Sequence, residues 1–281
     1  MATHATRLGI RGIAPGAKQE RDLGWFGWSE LRDISRDGHK ILFEEEADGG
    51  GPNYTVFLRD TDGSPPARIG EGIGMAISPD GKWAVTKPAR GGPLNLIPTG
   101  AGEARQLTHD AINYTAARFL PDGKHLLAAG IETGHGSRDY IIDVSSGEAK
   151  PVTPEGFSGT RISPDGASVP VLGPDGGWGI WPLAGGEIRP VPGLDSNYLV
   201  NGWSPDNKLL YAASTHAVEN TQKVYQVDPV GGKMQLWKTF GNDIVATGAK
   251  IAPPRLADDG SAYAYIYIQL LSQGYVVTGL K

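Results

Sequence analysis

The sequence predicts an all-β chain folded as a β-propeller of six four-stranded blades. Three observations carry that prediction. A turn motif occurs six times, as Ser35-Arg36-Asp37-Gly38, Ser78-Pro79-Asp80-Gly81, Leu120-Pro121-Asp122-Gly123, Ser163-Pro164-Asp165-Gly166, Ser204-Pro205-Asp206-Asn207 and Ala257-Asp258-Asp259-Gly260. Its aspartates are spaced 43, 42, 43, 41 and 53 residues apart, and a period of about 40–45 residues with four short strands per unit is the signature of propeller blades. A second turn falls inside each of the first five repeats, at Asp62-Gly63, Gly100-Ala101-Gly102, Ser146-Gly147, Gly185-Gly186 and Gly231-Gly232.

The turn chemistry explains the motif. Proline presets φ at the second turn position, aspartate caps nearby backbone N–H groups, and glycine takes a positive φ without a Cβ clash. Asn207 replaces glycine in one copy, and asparagine is the next most tolerant residue there. Each copy runs on into a short apolar segment, such as Trp83-Ala84-Val85 or Leu126-Leu127-Ala128, so each reads as a hairpin. Third strands are expected at Tyr54–Leu58, Leu94–Ile97, Tyr140–Val144, Trp178–Leu183 and Lys223–Val227. Fourth strands are expected at Ala67–Ile69, Ala104–Leu107, Lys150–Val152, Ile188–Val191 and Gln235–Trp237.

Taken in order, Leu8–Ile13 and Lys18–Leu23 are two strands joined at Pro15-Gly16, with no turn motif before them. The sixth repeat has a first hairpin and then only Tyr275–Leu280. The two incomplete ends complement each other, so the N-terminal strands are expected to close the ring and remove its exposed edges. Lys18–Leu23 is placed as strand four beside Tyr275–Leu280, with Leu8–Ile13 as an extra outer strand; the alternative places Leu8–Ile13 third and leaves Tyr275–Leu280 peripheral. Blades are expected at about 25–70, 71–108, 109–153, 154–192, 193–240 and 241–281 plus 7–24, in a single domain. Blade four carries Pro170 and Pro174 in its second strand region, so its pairing should be irregular. The long last step places about ten extra residues in Phe240–Pro254.

Composition narrows function. The 41 glycines and 21 prolines approach double the average usage, which suits a chain made of turns rather than disorder. The net charge of −5 argues against nucleic acid, which needs a positive footprint. There is no cysteine, so thiolate chemistry is excluded. Met1–Arg7 does not lead into the apolar region of a signal peptide, so the chain as it stands reads as cytoplasmic. Ser261–Leu280 is free of charge, but its polar residues and the alternation of Tyr263, Tyr265 and Tyr267 read as two strands around Leu271–Gly274, not as a membrane span.

The turn motif, followed by a Gly-Gly turn, resembles TolB-type (WD-like) propeller repeats. Glu20-Arg21-Asp22-Leu23-Gly24-Trp25, Gly49-Gly50-Gly51-Pro52-Asn53-Tyr54, Asp62-Gly63-Ser64-Pro65 and Gly279-Leu280-Lys281 resemble the C-terminal propeller region of large bacterial serine/threonine protein kinases. That resemblance implies a sensor or interaction module, extracytoplasmic when part of a membrane kinase. Kinase activity does not follow, because the phosphate loop and the catalytic and metal motifs are missing.

The face opposite the repeated turns carries the loops between blades and the loops between second and third strands, and these converge on the central channel. Candidate ligand-binding residues there are Glu45, Asp48, Asn53, Tyr54, Asn113, Tyr114, His135, Arg138, Tyr198, His216 and Asn220. Trp25, Trp28, Asp110, Asn197, Glu219 and Asp243 share those loops. Trp25 and Trp28 are expected to pack between blades, and Glu44-Glu45-Glu46 to end a strand with solvated carboxylates. The six histidines are scattered without zinc spacing, and no nucleophile elbow is present. No cofactor or metal is expected. The expected function is a monomeric, non-catalytic module binding a protein, peptide or small envelope ligand at its channel face. The alternatives are a lyase, cyclase or glycosidase using acidic and histidine residues at the channel, or a structural fragment of a larger sensor.

Overall fold

The computed structural model describes residues 2–215, 220–244 and 247–274. Six antiparallel sheets follow one another around a ring, with one four-residue helical turn at Ala47–Gly50. Blade one shows the pattern: an inner strand Ser29–Ile34, then Lys40–Glu45, Thr55–Asp60 and an outer strand Ala67–Glu71. Among the described residues no helix is long and apolar enough to cross a membrane.

The repeated turns are built by their side chains. In four of them the serine hydroxyl donates to the aspartate two residues on, from Ser35, Ser78, Ser163 and Ser204. In all six the aspartate also accepts a backbone N–H two residues further, from His39, Lys82, Lys124, Ala167, Lys208 and Ser261. The hydroxyls of Ser78, Ser163 and Ser204 hold Asp80, Asp165 and Asp206 below the usual carboxylate range. Asn207 takes φ 59°, the left-handed conformation that glycine adopts in the other copies.

Six hydrophobic clusters hold the ring, and each joins two neighbouring blades. Leu94 and Leu107 of blade two meet Tyr114, Leu126 and Tyr140 of blade three. The closing cluster joins Ile10, Leu23, Ala262 and Ala264 of blade six to Ile34, Ile41 and Phe43 of blade one. Burial of this kind supplies most of the stability of a propeller, because each sheet has two apolar faces.

Ring closure differs from the expected order. Ala2–Ile13 pairs along its whole length with Tyr263–Gly274, and Arg21–Asp22 lies outside it. The first N-terminal strand is therefore third in blade six, as in the alternative placement, and the second is fourth and outermost, so the preferred placement of Leu8–Ile13 outside is corrected. Tyr263–Gly274 is one continuous strand, so no turn occurs at Leu271–Gly274. Twelve residues of ladder outweigh the weak turn signal there. Tyr275–Leu280 lies outside the described residues.

Blade four is irregular at its centre. Its named strands are Ser168–Leu172, Gly177–Pro182 and Arg189–Asp195, and its innermost segment pairs only through the bridge between Ser158 and Leu172. Pro170 has no N–H to give the ladder. The extra length before the sixth turn falls at 241–249, after Met234–Phe240, and the inner strand that follows is split into Lys250–Ile251 and Arg255–Leu256.

Candidate functional site

The six inner segments share one equivalent position in the repeat. Four positions before each turn aspartate stand Asp33, Ala76, Arg118, Arg161, Gly202 and Arg255. In blades one, two and five the strand register slips by one residue just before this position, at Arg32, Met75 and Asn201. Such bulges re-aim side chains. Arg32 reaches the channel beside Asp33 in this way.

Three of these residues, Arg118, Arg161 and Arg255, line a cavity of about 200 Å³ together with Arg32, Lys87, Thr115 and Thr160. Toward the turn face Arg118 and Arg161 also line a smaller space of about 40 Å³, with Asn201, Trp203 and Arg36. The two arginines stand between the compartments.

Two of the five cations are neutralised. Arg118 Nη1 lies 2.7 Å from Asp33 Oδ1. Arg32 Nε donates to Glu44 Oε1 at 2.9 Å, and Arg32 Nη1 lies 3.0 Å from Glu30. The same carboxylates bind blade two: Asp33 Oδ2 accepts from the Ile77 N–H at 2.9 Å, and Glu44 Oε2 from the Gly74 N–H at 2.7 Å. Burial pushes both acids above the usual carboxylate range against the pull of their arginines. Glu30, Glu44 and Glu46 gather within 4.8 Å of one another, with Arg32 already pairing two of them.

Lys87, Arg161 and Arg255 form no ion pair with a carboxylate among the described residues. Lys87 Nζ donates to the Tyr114 carbonyl at 2.8 Å. Burial, and then the neighbouring Arg118, push Arg255 down to about 10. Burial and then Arg32 lower Lys87. The cavity is therefore positive within a chain of net charge −5.

The loop residues singled out from sequence do not converge on this cavity. Glu45 is fully buried, accepting from Ser29 Oγ and from the Phe26 N–H at 3.2 Å, and Glu44 is equally buried, so these are not solvated strand-end carboxylates. Tyr114 is a core residue rather than a rim residue: its hydroxyl donates to Asp110 at 2.9 Å and its ring meets Tyr140 edge-on. Burial raises that hydroxyl far above its ordinary range. Arg138 is tied to Glu132 at 3.0 Å and to the Tyr140 hydroxyl at 3.1 Å. His135 is exposed beside Glu155, and Asn53 is exposed with its amide 3.2 Å from Glu71. Asn113 is exposed at the start of its strand; Tyr198 is half-buried against Tyr225. Tyr54 and Asn220 hold left-handed loop positions, and Asp48 lies in the Ala47–Gly50 turn. Asp243 pairs with Arg11 at 2.8 Å. His216 and Glu219 lie outside the described residues. Trp25 and its neighbour Phe26 are 45% and 52% exposed, so Trp25 does not pack between blades.

Motif reading missed the arginines because none belongs to a motif. The signal that finds them is positional: arginine stands four residues before the turn aspartate in three of six repeats.

No family model matches the sequence, and no curated protein does. Solved structures do match. One described as TolB from Agrobacterium tumefaciens is 20% identical, with a TM-score of 0.66 over 95% of this chain and 99% of that one. The chain has the fold of a TolB-like propeller. An oligogalacturonate lyase in complex with manganese is 15% identical, with a TM-score of 0.58 over 92% of this chain and 78% of that one. A chain of a nidogen/laminin complex is 11% identical, with a TM-score of 0.60 over 86% of this chain and 95% of that one. The TolB-like fold is thus shared with an enzyme and with a member of a protein complex, and the site must decide between them. The likeness to a kinase sensor region rests on the sequence alone.

Proposed function

We propose that this chain is a non-catalytic binding propeller whose channel face receives a protein or peptide partner. The observation that carries this reading is where the exposed apolar side chains lie. Among the described residues, Trp25 and Phe26 are exposed in the loop before Ser29–Ile34, Ile131 at the end of its strand, Leu199 near the start of its strand, and Leu270 and Leu271 in the half of Tyr263–Gly274 farther from the repeated turn, all toward the channel face. Only Val230 and Leu236 are exposed elsewhere. Large apolar side chains gathered on one face, aromatics above all, mark protein interaction surfaces. The channel's guanidinium groups support binding over acid–base chemistry, because they offer hydrogen-bond donors and no acceptor. A sensor role in a larger kinase is one setting for such a face, and it rests on the sequence resemblance.

The test is capture of a partner from native cells by three forms of the chain: wild type, a Trp25→Ser/Phe26→Ser double variant, and Val230→Ser on the opposite face. A partner held by wild type and Val230→Ser but lost from the double variant is the expected result. A partner retained by the double variant, or lost equally from Val230→Ser, refutes the assignment of the face.

A further inference from the structure

The cavity of about 200 Å³ at the channel mouth is lined by five cationic side chains and no carboxylate. We infer that this cavity binds an oxyanion, a carboxylate or phosphate group, between Arg161, Arg255 and Lys87. The inference rests on the reading of the channel face as the binding face, and it names the chemical group of the ligand that enters the channel.

The charge balance favours it. Asp33 and Glu44 account for Arg118 and Arg32, and both acids are spent on the Ile77 and Gly74 N–H groups as well. The other three cations line the same space with no carboxylate in direct ion-pair contact among the described residues; Asp33 and Glu30 act on Arg255, and Glu44 on Lys87, only from a distance. Burial, Arg118 and Arg32 work against the charge on Arg255 and outweigh the support of Asp33 and Glu30, and an anion in the cavity adds to that support. Guanidinium groups bind carboxylate and phosphate through paired N–H donors, and an ammonium adds a point charge. Thr115 and Thr160 add neutral hydroxyls to the wall. The volume admits one such group with a short stem, so the rest of a larger ligand lies outside, on the face that carries Trp25 and Phe26.

The anion has two possible sources, a free small molecule or the carboxyl end of a partner chain. Calorimetry and thermal melting of the full chain, at constant ionic strength set with sodium chloride, separate them. The probes are inorganic phosphate, citrate, a neutral hexapeptide with a free C-terminal carboxylate, and the same peptide amidated. Saturable stabilisation by phosphate or citrate assigns a free anion. Stabilisation by the free-acid peptide and not the amidated one assigns a chain terminus. In either case binding weakens about tenfold or more in Arg255→Gln and Arg161→Gln, and is unchanged in Arg68→Gln, on the outer strand of blade one. Lys87→Met serves the same purpose if an arginine variant does not fold. The inference is overturned if no probe stabilises the chain beyond sodium chloride, or if the channel variants bind as wild type does. A partner that is lost from Trp25→Ser/Phe26→Ser and kept by Arg255→Gln leaves the binding face standing and removes the anion site.

Discussion

Asp33 and Arg118 meet across the channel at 2.7 Å, one from the inner strand of blade one and the other from that of blade three. The pair spans blade two, whose Ile77 N–H the same aspartate also accepts. Asp33 is almost wholly buried, so its charge depends on this partner. Removing one member of a buried pair strands the other, at about 3–5 kcal/mol. Arg118→Met alone should therefore lower stability by about that amount in urea unfolding. The double variant Asp33→Asn/Arg118→Met should lose distinctly less, and equal losses would show that the pair is not coupled.

Ring closure gives a second prediction. Glu20 accepts hydrogen bonds from Tyr263 at 2.7 Å and Tyr265 at 2.5 Å, and Asp22 accepts one from Tyr267 at 3.0 Å. Three tyrosines of one strand are thus latched to the N-terminal segment. Hydrogen bonds to a charged group contribute about 1.5–3 kcal/mol each, so Glu20→Ala should cost about 3 kcal/mol or more. Deleting residues 1–24 should lower the melting temperature much further, because it removes two strands of blade six. A deletion that melts like the full chain would show that the latch does not hold the ring.

Gly9 permits that latch. A Cβ on Gly9 would lie 2.3 Å from the Tyr267 ring, which Asp22 holds in place. Gly9→Ala should destabilise by about 1–3 kcal/mol, the usual range for overpacking. Adding Tyr267→Leu should return part of that loss, as read by the denaturation midpoint.

Asp139 sets a pH dependence. It is fully buried in blade three and accepts the Gly159 N–H of blade four at 2.9 Å, and burial pushes it up to about 8. The folded chain keeps this proton between about pH 4 and 8 while the unfolded chain releases it. Stability from this group is therefore highest below about pH 4 and falls as pH rises to 8, by at most about 1.4 kcal/mol per unit. Melting temperatures of wild type should fall more between pH 5 and 8 than those of Asp139→Asn. Parallel pH profiles for the two proteins would refute this role.

Fold class, blade number and turn chemistry were all legible in the sequence. Those features are local and repeated: serine, proline, aspartate and glycine act within six residues of one another, and six copies in register leave little freedom of architecture. The sequence also showed that the N terminus closes the ring, because both ends lacked strands. Which N-terminal strand lies inside was not legible there, since Ala2–Ile13 and Arg21–Asp22 differ in pairing length and not in local pattern. Burial was equally hidden. Glu44, Glu45 and Tyr114 read as polar loop and strand-end residues, yet their partners Arg32, Ser29 and Asp110 bring them into the interior. The channel cavity was the least legible feature. Arg118, Arg161 and Arg255 lie 43 and 94 residues apart in the chain, and each is unremarkable in its own repeat. Only closing the ring sets them around one axis, where their charges act on a common space.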